Sequence, residues 1–337
     1  MPVSGKVVRY IQEFKKIGEI ILHTEQELKE LQALSLADKI TISKLRITEF
    51  YEHYDGNVVV GFSGGKDSTV LLHLVRLLYP DVKGVYCDTG LEYPEVKKHV
   101  KKQDNIEIIR PALSFKQVID QYGWVFPSKE TAKKIYYAKK GSPWAITNMN
   151  GCEKDGTPSK FKARFKKWKF LVDSPFKIND KCCNIMKKKP FHDYQRTHKC
   201  GFMVGTMADE SALRKYGWLQ TGCNSFQNGK GSPLSFWTGQ DVLQYIVDHS
   251  LAIPSVYGDV VKVGGKWTTT GADRTGCMFC PIGVHLEKHP NRFQRMAVTH
   301  PKIYDYCINY LGLGELFDYV GVDYKPCQQS LFEGVES

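Results

Sequence analysis

Apolar residues recur at helical spacing near the start of the chain. Val7, Val8, Ile11, Phe14, Ile17, Ile20 and Ile21 form one stripe. Ser35-Leu-Ala-Asp38 reads as a capping signal for a second, carrying Ile40, Ile42, Leu45, Ile47 and Phe50. Asp55-Gly56 ends it. The pattern then changes. Val58-Val59-Val60 is a β-branched run with no polar alternation, as expected of a strand buried on both faces. Thr69–Leu74 returns to an apolar helix. Val82–Cys87 predicts a second strand, and Pro94 suits the first turn of the next helix. Ile106–Ile109 predicts a third strand and Ser114–Tyr122 a third helix. Gly201–Gly205 predicts another strand, Thr238 a helix N-cap, and Gly264-Gly265 a hairpin turn. Two helices, near 290–298 and 301–320, close the chain. Alternating strands and helices predict an α/β fold with a doubly wound, mainly parallel sheet. The organisation expected is an N-terminal helical segment at 1–55 and an α/β domain at 56–126 and 181–260. A basic aromatic insertion occupies 127–180, and a cysteine-bearing helical region 261–337.

The connection after the first strand carries the clearest chemistry. In Ser63-Gly64-Gly65-Lys66-Asp67-Ser68, two glycines let the backbone turn sharply and approach a ligand. The helix that follows presents N–H groups and a partial positive charge to an anion. Lys66 adds a full charge, and Ser63 and Ser68 add hydroxyls. The spacing is too short for a Walker A loop. The hexapeptide resembles the PP-loop of the ATP pyrophosphatases. That resemblance implies ATP cleavage between the α and β phosphates, with Lys66, Asp67 and Ser68 as catalytic candidates and Ser63–Ser68 as the ATP cradle. Asp88, at the end of the second strand, lies on the same rim of the sheet, where ligands of such folds sit. It is a candidate for ribose, adenine or magnesium, or else a helix cap.

Composition adds two features to a chain of 337 residues with ordinary hydrophobic content. The net charge of +11 is concentrated: residues 129–189 carry 17 Lys and Arg against 5 Asp and Glu, so the remainder is close to neutral. Tyr136, Tyr137, Trp144, Phe161, Phe165, Trp168 and Phe170 interleave with these lysines. Rings can stack bases while the charges track phosphates, which makes nucleic acid the expected partner. A solvated basic subdomain with its own aromatic core gives the same pattern. The second feature is ten cysteines. No run approaches a membrane span, and the opening residues lack the apolar core of a signal peptide. The expected setting is the cytoplasm, where thiols stay reduced and cysteines suggest metal or redox chemistry. Cys277-x-x-Cys280 is a metal half-site. Cys182 and Cys183 are adjacent, which is awkward for one tetrahedral ion and easier on a cluster. An Fe–S cluster on Cys182, Cys183, Cys277 and Cys280 is preferred, with zinc second and a Cys277/Cys280 redox dithiol third. Cys327, near the C-terminus, reads as an ordinary thiol.

Taken together, these stretches resemble the phosphoadenosine phosphosulfate (PAPS) reductase family. The further matches are Asp88–Glu95, Gly123–Ser128, Lys187–Pro190 after the cysteine pair, Asp209-Glu-Ser-Ala-Leu-Arg214, and Pro233 through Val242. The resemblance implies an adenine nucleotide alpha hydrolase-like fold, ATP with Mg²⁺, and a [4Fe–4S] cluster on the four cysteines. It also makes Arg214 a nucleotide contact, with Lys187–Lys189 as further anion contacts or a solvated basic face. Two departures point away from sulfonucleotide reduction. The family's reductases usually lack the loop lysine, and they end in a nucleophilic Glu-Cys-Gly-x-His segment that is missing here. The expected activity is ATP-dependent adenylation coupled to sulfur transfer, nearer the DNA-phosphorothioation branch. A cysteine desulfurase or another sulfur donor is an expected partner, and oligomerisation is compatible with the reading. The rivals are a sulfonucleotide reductase, another adenylyl transfer such as flavin-nucleotide synthesis, and a nucleic-acid-binding protein with a regulatory nucleotide site.

Overall fold

The computed structural model describes residues 23–326. The apolar stripe from Val7 to Ile21, and Cys327, lie outside the described residues. The described chain divides into two compact units. The first holds 23–88, Glu92–Arg110 and Pro190–Gly276; the second holds Thr89–Leu91, Pro111–Lys189 and 277–326. The basic insertion thus falls in the second unit together with Cys277 and Cys280, while 261–276 falls in the first.

The first unit is built on a six-stranded sheet. Its strands are β1 (Val58–Gly61), β2 (Gly84–Cys87), β3 (Ile106–Ile109), β4 (Gly201–Val204), β5 (Asn224–Ser225) and β6 (Lys230–Gly231). Their order is β3-β2-β1-β4-β6-β5, and only the β5/β6 pair is antiparallel. β1 lies between β2 and β4, in register Val60↔Gly84 and Val58↔Gly201. Burial on both faces explains its unbroken valines. Strand order reverses at β1, and in open sheets of this kind ligands bind beyond the carboxyl ends of the strands at that point. A hairpin of β7 (Val260–Val263) and β8 (Lys266–Thr269) turns at Gly264-Gly265.

Helix Leu36–His53 starts where Ser35 Oγ accepts the Asp38 N–H, and the chain leaves it through Asp55 and Gly56 at φ of 49° and 78°. Lys39 on this helix is only 2% exposed, with its Nζ 2.7 Å from Asp241 Oδ2. That same oxygen accepts from the Thr238 N–H and hydroxyl, capping helix Gly239–Asp248. Lys39→Met removes the cation and leaves a nearly buried carboxylate. It is expected to cost about 3 kcal/mol of stability, read as a lower denaturant midpoint. An unchanged midpoint would mean that the Thr238 cap alone satisfies Asp241.

The second unit is helical, with Phe115–Tyr122, Lys129–Lys139, Pro143–Met149, Arg292–Thr299 and Leu313–Val320 as its longer elements. The helix expected over 301–320 is broken. Pro301–Asp305 runs into a π-helical turn at Tyr306–Tyr310, and helix resumes only after Gly312, whose φ of 74° cannot continue a right-handed helix. Among the described residues no helix is long and apolar enough to cross a membrane.

Candidate nucleotide site and cysteine cavity

In the first unit, β1 delivers the chain directly into the Ser63–Ser68 loop. Phe62 is fully buried and its N–H donates to Val85 O, so the loop leaves from a fixed strand end. Gly64 sits at φ 74°, and a Cβ there would lie 2.6 Å from Val100 Cγ2 and 2.8 Å from Val96 Cγ1. Only glycine permits both this backbone and this packing. The turn is braced internally. Ser63 N–H donates to Ser68 Oγ at 3.2 Å, the two hydroxyls are 3.0 Å apart, and Ser68 Oγ donates to Gly65 O at 2.9 Å. Ser68 is therefore a buried strut of the loop, whereas Ser63 is exposed.

Helix Lys66–Leu78 begins after Gly65 with no side-chain cap. A helix N-terminus at the sheet's switch point, with no cap from its own N-cap residue, is the arrangement that receives phosphate. The Lys66 N–H donates to Tyr257 Oη at 3.3 Å, and that hydroxyl also bonds Thr275 Oγ1 at 2.7 Å. Tyr257 and Thr275 escape sequence reasoning because they lie about two hundred positions from Lys66 along the chain. The Lys66 ammonium is held 3.0 Å from Asp67 Oδ1.

Arg214 lies near this loop. Burial pulls its guanidinium below the usual value, as does neighbouring Arg274, while Asp67 opposes them. Both arginines pair with Glu210: Arg274 at 2.6 Å from Oε1, Arg214 with Oε2. Glu210 also accepts the Met207 N–H at 2.9 Å. One carboxylate thus anchors two cations beyond the end of β4. Glu210 and Arg274 were not singled out from sequence, although Glu210 stands inside the Asp209–Arg214 stretch. Asp88, at the end of β2, pairs with Lys97 at 2.9 Å and Arg110 at 3.8 Å. It does not cap the following helix, whose N-cap is Tyr93.

In the second unit, Cys182, Cys183, Cys277 and Cys280 line one small cavity of about 30 Å³. The two half-sites arrive by different routes. Gly123, at φ 79°, lets Trp124 pair with the 177–179 segment: a Cβ at Gly123 would lie 1.8 Å from Lys177 O. The Trp124 N–H donates to Lys177 O and the Asn179 N–H to Trp124 O, both at 3.0 Å. That strand-like bridge sets Cys182 and Cys183 beside the cavity. Cys277-x-x-Cys280 closes a turn in which the Cys280 N–H donates to Cys277 O at 3.1 Å, and the Met278 N–H ties it to Leu91 O at 2.9 Å. Leu91, Phe115, Ile119, Trp124 and Phe279 wall the rest. Burial pushes the Cys182 thiol well up, and Cys183, Cys277 and Cys280 push it further. Burial also raises Cys280.

Among the described residues no group of three or more His, Cys, Asp or Glu side chains is placed to hold a metal ion. Four sulfurs around an apolar cavity are a donor set that binds a cationic group by giving up thiol protons. The donors are all soft, as Fe–S clusters require. In donor type the four cysteines suit a cluster.

The basic segment divides in the structure. Phe165 and Trp168 are buried, Trp168 edge-on to Phe126 at 5.1 Å. Tyr137, Trp144, Phe161 and Phe170 are exposed. An aromatic core and a surface of rings both exist.

A mainly parallel sheet with this loop at its switch point defines a nucleotide-binding protein of the PP-loop class. The chain matches the phosphoadenosine phosphosulfate reductase domain over residues 57–140 and 129–282, and it belongs to that family. An uncharacterised protein of Methanocaldococcus jannaschii is 22% identical over 317 residues, which are 88% of this chain and 60% of that relative. The chain therefore spans less than two thirds of that relative's length. An adenosine 5′-phosphosulfate reductase of Bacillus cereus is 25% identical over 201 residues, 60% of this chain and 68% of that protein. Among solved structures, a PAPS reductase from Candida auris aligns with a TM-score of 0.37 at 13% identity, covering 73% of this chain and 98% of that one. The U34-tRNA thiolase NcsA of Methanococcus maripaludis, solved with its [4Fe-4S] cluster, aligns with a TM-score of 0.31 at 12% identity, covering 86% and 82%.

Proposed function

We propose that the protein is an ATP-dependent adenylating sulfurtransferase that works with an Fe–S cluster on a nucleic-acid or nucleotide substrate. The observation that carries this reading is the intact Ser63–Ser68 loop, with Lys66 opening a helix that its N-cap Gly65 leaves without a side-chain cap at the switch point of the sheet. The N–H groups at the start of helix Lys66–Leu78 and the Lys66 ammonium bind the ATP phosphates. They stabilise the charge that develops as pyrophosphate leaves. A substrate oxygen attacks the α-phosphorus, the α–β bond breaks, and the oxygen becomes part of an AMP leaving group. Arg214 and Arg274, held by Glu210, supply positive charge for an anionic ligand. A sulfide-level sulfur nucleophile from a separate donor then attacks the activated centre; a bond to sulfur forms, the bond to the adenylated oxygen breaks, and AMP leaves with that oxygen. Cys182, Cys183, Cys277 and Cys280 would hold a [4Fe–4S] group, which supplies a thiophilic, redox-capable centre when bound.

A second reading is a sulfonucleotide reductase, favoured by the likeness to the Bacillus cereus protein of that name. One assay separates the two. ATP and the anaerobically purified protein are incubated with and without nucleic acid, and pyrophosphate is measured. Pyrophosphate release is the expected result. No pyrophosphate under any condition, with tight binding of adenylyl sulfate, would overturn adenylation in favour of the reductase.

A further inference from the structure

Next to the cysteine cavity, the second unit carries a line of rings and cations that neither half of the proposed reaction uses. Lys181, one position before Cys182, lies over the Tyr122 ring at 5.2 Å and the Tyr136 ring at 5.9 Å. Lys140 lies over the same Tyr136 ring, 4.6 Å from its centroid, and Lys134 lies over Trp144 at 5.8 Å. Tyr136 meets Tyr137 edge-on at 5.2 Å, and Tyr137 meets Trp144 edge-on at 6.3 Å. Tyr137 is 42% exposed and Trp144 46%. Lys133, Lys140 and Lys181 are exposed as well. Residues 131–152 contain no Asp or Glu at all. Helices Lys129–Lys139 and Pro143–Met149 hold the line, so its spacing is set by regular structure.

We infer that this stripe, Tyr136, Tyr137 and Trp144 with Lys140 and Lys181, binds an unpaired nucleic-acid strand and leads it to the cysteine cavity. The physical reason for a single strand is access. Duplex bases hide their faces in the stack, whereas unpaired bases offer a π-face to any exposed ring. Cations interleaved with the rings match phosphates spaced between bases. An apolar protein partner would have no use for the exposed Lys133, Lys140 and Lys181 along these rings. Lys181 precedes Cys182, so the strand's near end arrives beside the thiols. This assignment rests on the proposed function only for the link to sulfur chemistry; the binding stands on the stripe alone.

The test is fluorescence anisotropy with the full chain. The probes are labelled oligo-dT, oligo-U of the same length, and the dT·dA duplex, each titrated at several salt concentrations. At least one single strand is expected to bind about tenfold tighter than the duplex, and preference for the RNA or the DNA strand identifies the sugar. Trp144→Ala and Tyr137→Ala should each weaken single-strand binding by about tenfold, the loss of one stacked base. Trp144→Phe should retain most of the affinity. Lys140→Gln should flatten the dependence of log affinity on log salt by about 0.7. Equal binding of duplex and single strand, or native affinity in both aromatic variants, would overturn the inference. Should an alanine variant melt early, Trp144→Phe and Lys140→Gln still decide the matter. Pyrophosphate is measured on the same preparations. Strand binding without pyrophosphate would sink adenylation and leave the stripe standing; pyrophosphate without strand binding would do the reverse.

Discussion

Lys66→Ala is expected to reduce pyrophosphate release by two to three orders of magnitude, on the order of what one preorganised donor to a developing anion contributes. The ammonium stands at the first residue of helix Lys66–Leu78, where its charge adds to that of the helix end. The fold should hardly notice. The Lys66–Asp67 pair is partly solvated, with side chains 12% and 25% exposed, so its loss costs at most about 1 kcal/mol. The loop's shape rests on Ser63, Gly64 and Ser68 instead. The variant should therefore melt like the native protein while failing to release pyrophosphate. Release within a few-fold of native would remove Lys66 from the reaction. Unaltered ATP affinity with lost release would assign the lysine to the transition state; lost affinity would assign it to ground-state binding as well.

The second large effect is expected at the cysteines. Anaerobically purified protein should carry about four iron and four sulfide per chain, with the broad visible absorption of a cluster. Cys182→Ser and Cys277→Ser, one from each half-site, should each bring iron and sulfide close to zero. Cys307→Ser is the matched control. Cys307 is also buried and its thiol is also pushed up by burial, yet it does not line the cavity. That variant should keep its iron. A colourless protein with stoichiometric zinc would replace the cluster by the alternative metal. Iron that persists in both cavity variants would mean that other ligands hold it.

The nucleotide loop was legible in the sequence because every property it needs is local. A strand, a tight turn and a helix start are adjacent in the chain, and valines, glycines and a lysine report them directly. The β1–β3 strands and the Ser35 and Thr238 caps were legible for the same reason. The supporting groups were not. Tyr257, Thr275 and Arg274 come from distant segments, and no short-range pattern marks a tyrosine that will bond a helix N–H. The alternatives at Asp88 could not be separated locally either: a carboxylate after a strand looks alike whether it faces a ligand or caps a helix, and the structure excludes only the cap, pairing Asp88 with Lys97 and Arg110. The break at Gly312 was visible as a residue but not as a conformation, because glycine permits positive φ without requiring it.

The sequence by itself determined that the chain alternates strand and helix, that a Ser-Gly-Gly-Lys-Asp-Ser turn follows the first strand, and that the cysteines include two close pairs. These are short-range facts, written in periodicity and spacing. Only the tertiary structure decided that strand order reverses at β1, which sets that turn at the switch point. It alone brought Cys182 and Cys183 to one cavity with Cys277 and Cys280, and it alone sorted the aromatic residues of the basic segment into a core around Phe165 and Trp168 and a surface around Tyr137 and Trp144. Which groups meet across a hundred residues of chain depends on packing, and packing is a property of the whole fold.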